Sequence, residues 1–370
     1  MISLFSVRFL EIYMSPQEHP QVQLVYPSGD CERFILIHPD DEHEHDPIED
    51  LVGSIKLVAT EFKSHFAVDF VDKLERAKTR DNVNELVELT ATFNEKIREL
   101  RARGEFEGEP LGSSFALASH IWKQAYERTL EDPKLLNQYK GFSKEVYGET
   151  NPILINDIIT KQLNLKPGDI FVDLGSGIGN VVFQVAAQTR CKCHGIELKD
   201  NPSQYAQLIQ REAERRCRFY HKDVGEIRLR QGDFLNDAPT PKLVAQADVV
   251  FVNNFVFDAE TNLGLMYYFL DMKEGAKVIC FKEFSPPSNR ISGHNQNNVA
   301  AILQTRKVDF WGNDGVSWTA SNIAYFIHVI DRKRLNDFEK RATMLPEPRR
   351  RGKRADTPNP PSPPNKKQKS

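Results

Sequence analysis

Residues 171–180 read Phe-Val-Asp-Leu-Gly-Ser-Gly-Ile-Gly-Asn, and they decide the fold. An apolar run ends in Asp173, glycines follow at 175, 177 and 179, and Val181-Val182-Phe183-Gln184-Val185-Ala186-Ala187 continues as an apolar helix. Glycines at the carboxyl end of a strand let a ligand lie directly on the backbone. The spacing selects the ligand. A dinucleotide fingerprint, G-x-G-x-x-G, would place its third glycine at position 180, where this chain has Asn180.

The pattern present is acidic-x-Gly-x-Gly-x-Gly, the form used by Rossmann-type S-adenosylmethionine enzymes. Reading outward, strands are expected at 169–174, 193–198, 226–231, 248–253 and 276–283. Helices fit between them, notably 201–219 and 258–271. Strands alternating with helices imply a parallel, doubly wound α/β sheet. Val316–Thr319 and Ile323–Ile330 have no long helix between them and read as a closing hairpin. Three further signals fall in register. Glu197 stands 24 residues after Asp173, where a carboxylate can accept both ribose hydroxyls. Asp233 can accept from an adenine amine, and Phe234 can cover the adenine face. Asp173 itself can hold the ammonium of the cofactor's amino-acid portion, by charge or through water.

The fourth strand ends Val252-Asn253-Asn254-Phe255-Val256-Phe257. In such a sheet this position abuts the sulfonium methyl, where carbonyls can orient a nitrogen nucleophile and positioning supplies much of the rate. A lysine nucleophile must first lose a proton, and an apolar channel lowers its pKa. Phe257, Trp318 and Tyr325 stand equally as candidate channel walls and as ordinary core aromatics. Ahead of the sheet, Glu145-Val146-Tyr147-Gly148-Glu149-Thr150 is polar and contains a glycine. It can cross the cofactor, with Glu149 on the ammonium and Thr150 on the carboxylate; by spacing alone it is a linker.

Composition bounds the rest. With 370 residues, 40% of them hydrophobic, the chain has room for about two domains and tails. No run of about 20 apolar residues is present, so no membrane span is expected. The start, with Arg8 and Glu11, does not read as a secretory signal. Five scattered cysteines suit a reducing compartment with free thiols. Net charge is −3, but Lys340–Ser370 holds ten Lys/Arg against Glu347 and Asp356, a net of +8, so residues 1–339 carry −11. That proline-rich tail reads as disordered and suited to nucleic-acid phosphate or an import receptor, the plainer alternative being a solubilising tail. His38, His43 and His45 lie in HPDDEHEHD, which reads as a solvated acidic loop, and no metal site is expected. Residues 48–103 read as helices whose apolar positions form a packing face.

The strings VYGET (146–150), FVDLGSGIGNVVFQVAA (171–187), GIE (195–197), GDF (232–234), VNNFVF (252–257), MKEGAKVI (272–279) and VSWT (316–319) resemble the Dot family (disruptor of telomeric silencing), the non-SET histone lysine methyltransferases. The resemblance covers about residues 114–335 and looks closer to the animal arrangement. It implies a class I methyltransferase sheet, with a mostly helical lobe at 1–140, the catalytic domain at 141–335 and a basic tail at 336–370. It implies methyl transfer from S-adenosylmethionine to a lysine on the globular core of histone H3 in nucleosomes, hence a nuclear chromatin regulator, and the chain is expected to be a monomer. Its cofactor-binding residues would be Tyr147, Gly148, Glu149, Thr150, Phe171, Val172, Asp173, Leu174, Gly175, Ser176, Gly177, Ile178, Gly179, Asn180, Glu197, Asp233 and Phe234. Asn253 would sit at the transfer position, and Phe257, Trp318 and Tyr325 would line the lysine channel. The basic tail, Lys340–Ser370, would meet nucleosomal DNA. Two rivals remain from the residues themselves. A nucleobase-amine methyltransferase would carry prolines after the strand-four Asn, which this chain lacks. A cofactor-binding scaffold without activity would keep the same cofactor positions.

Overall fold

The protein is seen here as a computed structural model that describes residues 19–39, 45–108, 111–130, 150–310 and 323–344. Tyr147, Gly148, Glu149, Trp318, His43 and residues 345–370 of the tail lie outside the described residues.

The amino-terminal part begins with an antiparallel hairpin, β1 (Gln21–Val25) and β2 (Cys31–Ile35). Four helices follow: α1 (Pro47–Glu61), α2 (Phe70–Thr79), α3 (Val83–Ala102) and α4 (Phe115–Thr129). Their starts are written locally. The Asp46 carboxylate accepts from the backbone N–H groups of Ile48 and Glu49, with Pro47 opening α1, and Asn82 and Ser114 cap α3 and α4. Leu86, Phe93, Ile97 and Leu100 of α3 are fully buried, each contributing roughly 1.5–3 kcal/mol by burial. The amide of Asn94 stands in for a neighbouring strand, accepting from Val25 N–H at 2.8 Å and donating to the Gln23 carbonyl at 2.6 Å.

From Asn151, which caps α5 (Pro152–Gln162), the chain builds the sheet. Its elements are β3 (Ile170–Leu174), α6 (Asn180–Thr189), β4 (Lys192–Glu197), α7 (Asp200–Phe219), β5 (Ile227–Gln231), α8 (Pro239–Gln246), β6 (Val249–Val252), α9 (Ala259–Tyr268), β7 (Lys277–Cys280), β8 (Leu303–Phe310), β9 (Ile323–Ile330) and α10 (Arg332–Met344). The strand order is β5-β4-β3-β6-β7-β9-β8. The first five are parallel, and β9 runs antiparallel to both β7 and β8. This is the class I methyltransferase arrangement that the sequence predicts, except that residues 336–344, expected in the disordered tail, instead belong to helix α10. The expected partner for 323–330 was Val316–Thr319; the strand paired with it is Leu303–Phe310, and 316–319 lies outside the described residues. The sheet order reverses between β3 and β6, and the loops leaving those two strands flank the crevice where ligands bind in open α/β sheets.

A single apolar cluster unites the helical part with one face of the sheet, running from Leu24 and Phe34 through Ile55, Phe93 and Ile121 to Phe183 and Phe251. The opposite face packs its own cluster, with Val172, Val250 and Val278 against Leu265 and Phe269. Helix α4 bridges the parts, its Trp122 ring lying 5.5 Å from that of Phe183. Beneath them runs a polar seam. Arg216 of α7, 1% exposed, donates to Glu32 of β2 at 2.7 and 3.0 Å, and Tyr26 donates to the same carboxylate at 2.7 Å. Asp50 of α1, also buried, accepts from Gln124 at 2.5 Å and pairs with Arg128 of α4.

Candidate active site

The glycine turn after β3 has three glycines at positive φ, each for its own reason. Gly179 (φ +88°) caps α6, and a Cβ there would meet Leu229 Cδ1 at 2.8 Å, so packing requires it. Gly175 (φ +91°) lies under the Phe257 ring, whose Cζ would be 3.5 Å from a Cβ. At Gly177 (φ +55°) a Cβ would meet nothing within 4 Å among the described residues. A left-handed backbone facing open space at a strand end is a surface on which a ligand can lie.

Around this turn Glu197, Phe234 and Phe257 come together. Gly175 and Ser176 donate their N–H groups to the Ile196 carbonyl at 2.9 and 3.1 Å, binding the turn to the end of β4. Glu197 reaches back across it. One carboxylate oxygen accepts from Gly177 N–H at 2.9 Å and the other from Lys199 N–H at 2.8 Å. Each oxygen keeps a lone pair, so a diol can still be recognised there. After β5, the Asp233 carboxylate accepts from Leu235 N–H at 3.0 Å and from the Asn236 amide at 2.8 Å. The Phe234 ring lies 5.7 Å from that of Phe257, tilted 35°. The sequence reading missed Tyr268, whose hydroxyl sits 3.0 and 2.9 Å from the Phe234 and Leu235 carbonyl oxygens and pins this loop. Nothing in the spacing of α9 signals it.

Asp173 is the chemical outlier. It lies mid-sheet between Gly195 and Phe251, 2% exposed, and among the described residues its Oδ1 has no hydrogen-bond partner. Burial and the nearby Glu197 carboxylate push its pKa up to about 8. A buried carboxyl with no cation beside it among the described residues has room for a partner that a ligand ammonium, directly or through water, would supply. Taken with the open floor at Gly177 and the free lone pairs of Glu197, the residues present fit S-adenosylmethionine.

At the fourth strand, Asn253 is half-buried and begins the short turn Asn254–Val256. Phe257 is brought to Gly175 and Phe234, so it joins the loop after β6 to the glycine turn. Tyr325 lies in the apolar cluster on the α5–α6 face of the sheet, fully buried, its hydroxyl without a hydrogen-bond partner among the described residues. Burial, with Asp157 adding to it, pushes the Tyr325 hydroxyl up to about 12. Thr150 is buried at the entrance to α5, and the neighbouring Pro152 carbonyl accepts from Gln184 of α6 at 2.8 Å. His38 pairs with Asp46 at 2.8 Å, and His45 with Glu127 at 2.9 Å. Among the described residues no three His, Cys, Asp or Glu side chains group to hold a metal ion.

Residues 126–330 match the family model described as histone methylation protein DOT1. The chain belongs to the DOT1 family. Among its DOT1 relatives, a protein of Aspergillus fumigatus named histone-lysine N-methyltransferase, H3 lysine-79 specific, is 34% identical over 332 residues, covering 86% of this chain and 66% of that protein. A Drosophila melanogaster protein of the same name is 32% identical over 306 residues, covering 81% of this chain and 16% of that one. The chain thus spans about two thirds of the fungal relative and a small part of the fly one. An RNA methyltransferase of Salinibacter ruber, solved with S-adenosyl-L-homocysteine, aligns with 49% of this chain and 93% of its own at 19% identity and a TM-score of 0.33.

Proposed function

We propose that this chain is an S-adenosylmethionine-dependent lysine methyltransferase that acts on the globular core of histone H3 in nucleosomes, in the nucleus and as a monomer. The observation that carries the reading is Asp173, without a partner on Oδ1 among the described residues, beside a glycine turn that they leave open, in a chain of the DOT1 family. The histone substrate comes from the names of the relatives. In this reading 141–335 is the catalytic domain, 1–140 the helical lobe and 336–370 the basic tail.

When bound, S-adenosylmethionine supplies an electrophilic methyl on its sulfonium sulfur. Asp173 holds the ammonium end, with Glu149 and Thr150 closing over it together with Tyr147 and Gly148. Phe171–Asn180 form the floor. Glu197 accepts from the ribose hydroxyls, and Asp233 and Phe234 take the adenine by hydrogen bond and face. Asn253 directs the lysine nitrogen at the transfer position. Phe257, Trp318 and Tyr325 exclude water from the lysine stem, and the desolvation lowers the lysine pKa so that the neutral amine is populated.

Incubation with nucleosomes and labelled cofactor, followed by mass spectrometry, tests the reading. The expected label sits on one lysine of the H3 globular core. Label on free DNA or RNA, with none on nucleosomes, would overturn it in favour of a nucleobase enzyme.

A further inference from the structure

The loop after β6 carries Asn253 and Phe257, yet among its own residues one short turn is its only regular structure. Two asparagine side chains hold it. Asn254 is fully buried. Its Oδ1 accepts from the backbone N–H groups of Phe281 at 3.0 Å and Lys282 at 2.8 Å, just past the end of β7. Its Nδ2 donates to the Lys282 carbonyl at 2.9 Å and to Asn262 Oδ1 at 2.8 Å. All four hydrogen-bonding positions of the Asn254 amide are therefore filled. Asn262 stands one turn into α9 and passes the connection on, donating to the Phe257 carbonyl at 3.2 Å and the Asp258 carbonyl at 2.7 Å.

The chain of bonds is directional. It runs from the N–H groups beyond β7, through Asn254, through Asn262, to the backbone of Phe257. A carboxylate at either position would keep the volume but lose the donors. At the buried Asn254 end one lost donor leaves an acceptor unsatisfied, while at the far end the Phe257 carbonyl would keep only the longer 3.4 Å contact from Lys282 Nζ. Helix α9 does not depend on this relay for its start, because Asp258 caps it separately, accepting from Thr261 N–H at 2.7 Å. The outer residues of the same loop, Phe255 and Val256, are exposed, so their packing does not fix its position.

We propose that Asn254 and Asn262 are positioning residues that transmit the rigid end of β7 to the methyl-transfer loop and set Asn253 and Phe257 against the cofactor floor. The inference rests on the reading of this site as a methyltransferase centre. No side chain in the glycine floor takes part in the relay, so cofactor affinity and transfer rate separate when it is cut.

The test compares the full chain with Asn262→Ala and Asn262→Asp. It reads amide hydrogen exchange across 253–258, cofactor affinity by calorimetry, thermal midpoint, and single-turnover methyl transfer to nucleosomes at saturating cofactor. Both variants should exchange faster across 253–258, with exchange at 174–180 unchanged. Cofactor affinity should stay within about 3-fold while transfer falls on the order of 10²-fold, the penalty of a misplacement near 1 Å. The aspartate, equal in volume, should behave like the alanine, because donation rather than packing is removed. Unchanged exchange at 253–258 overturns the relay, and so does a transfer loss matched by the loss of cofactor affinity. A wild-type protein that leaves nucleosomes unlabelled overturns the assigned function instead, and the exchange comparison still decides the relay.

Discussion

Among the described residues, carboxylates are drawn away from solvent in the seam and in the sheet, and the two places treat them in opposite ways. In the seam between the helical lobe and the sheet, Glu32 is met by Arg216, Tyr26 and Arg128, and Asp50 by Arg128, Gln124, His45 and His120. Burial alone would raise the pKa of Glu32, but Arg216 and Arg128 pull it down to about 2. In the middle of the sheet, Asp173 has neither a cation nor a donor on Oδ1 among the described residues, and burial with Glu197 pushes it up to about 8. The seam is complete without a ligand and stabilises the free protein. On the proposed function the Asp173 site is completed by the cofactor, and the free protein bears the cost of the unmet acid.

Cutting the seam should have the largest effect. Glu32→Ala leaves Arg216 buried beside Glu212 alone, and loss of one partner from a buried pair costs roughly 3–5 kcal/mol. The expected result is a large drop in the denaturant midpoint with an unchanged slope; a midpoint close to wild type would mean that the seam contributes little. The next largest change is Gly177→Leu, which fills the open space at the floor. Cofactor affinity should fall by about 10²-fold or more, near 2.7 kcal/mol, and retained affinity would remove the floor from the site.

Asp173→Asn reverses the sign of the first experiment. The free protein should become more stable at pH 7.5 by about 1 kcal/mol or more, since one pKa unit is worth about 1.4 kcal/mol, while cofactor binding weakens. Loss of stability in the free protein would contradict the reading of Asp173 as an unmet acid. The pH profiles follow by linkage. Folded Asp173, with a pKa near 8 against an ordinary 3.8, holds its proton while the unfolded chain releases it. Its contribution therefore declines as pH rises from about 4 to about 8, and the variant should lack that decline. Glu32, at about 2 against an ordinary 4.5, contributes fully above 4.5 and loses its contribution as pH falls toward 2. The smallest effect belongs to the tail. Deleting 340–370 should weaken nucleosome binding about 10-fold at low salt and flatten its salt dependence; an unchanged salt slope would remove the tail from the DNA.

The sequence was readable where local chemistry sets the structure. Parallel strands are covered on both faces, so Ile170–Leu174 and Val249–Val252 stand out as apolar runs. Ser114, Asn151 and Asp258 announce their helices by capping them. The positive-φ turn was legible from its glycines. Strand Leu303–Phe310 was not, because it lies at the sheet edge and shows polar side chains at Gln304, Arg306 and Lys307. The seam was equally hidden, since Arg216 and Glu32 are 184 residues apart and no spacing rule joins them. For the site, the motif supplied Asp173 and Glu197 but not their states. That Asp173 is buried with no partner on Oδ1 among the described residues, and that Glu197 grips Gly177, follow only from the packing of β3 against β4 and β6.

The central claim is that Asp173 waits for the cofactor's ammonium, and proton release on binding tests it most directly. Calorimetric titrations of S-adenosylmethionine at pH 6.5, in two buffers of different ionisation enthalpy, count that release. Binding should free close to one proton per site in the wild type, because a carboxyl with a pKa of about 8 becomes a carboxylate beside a cation. The Asp173→Asn variant should free none. Equal proton release from both proteins would contradict the account.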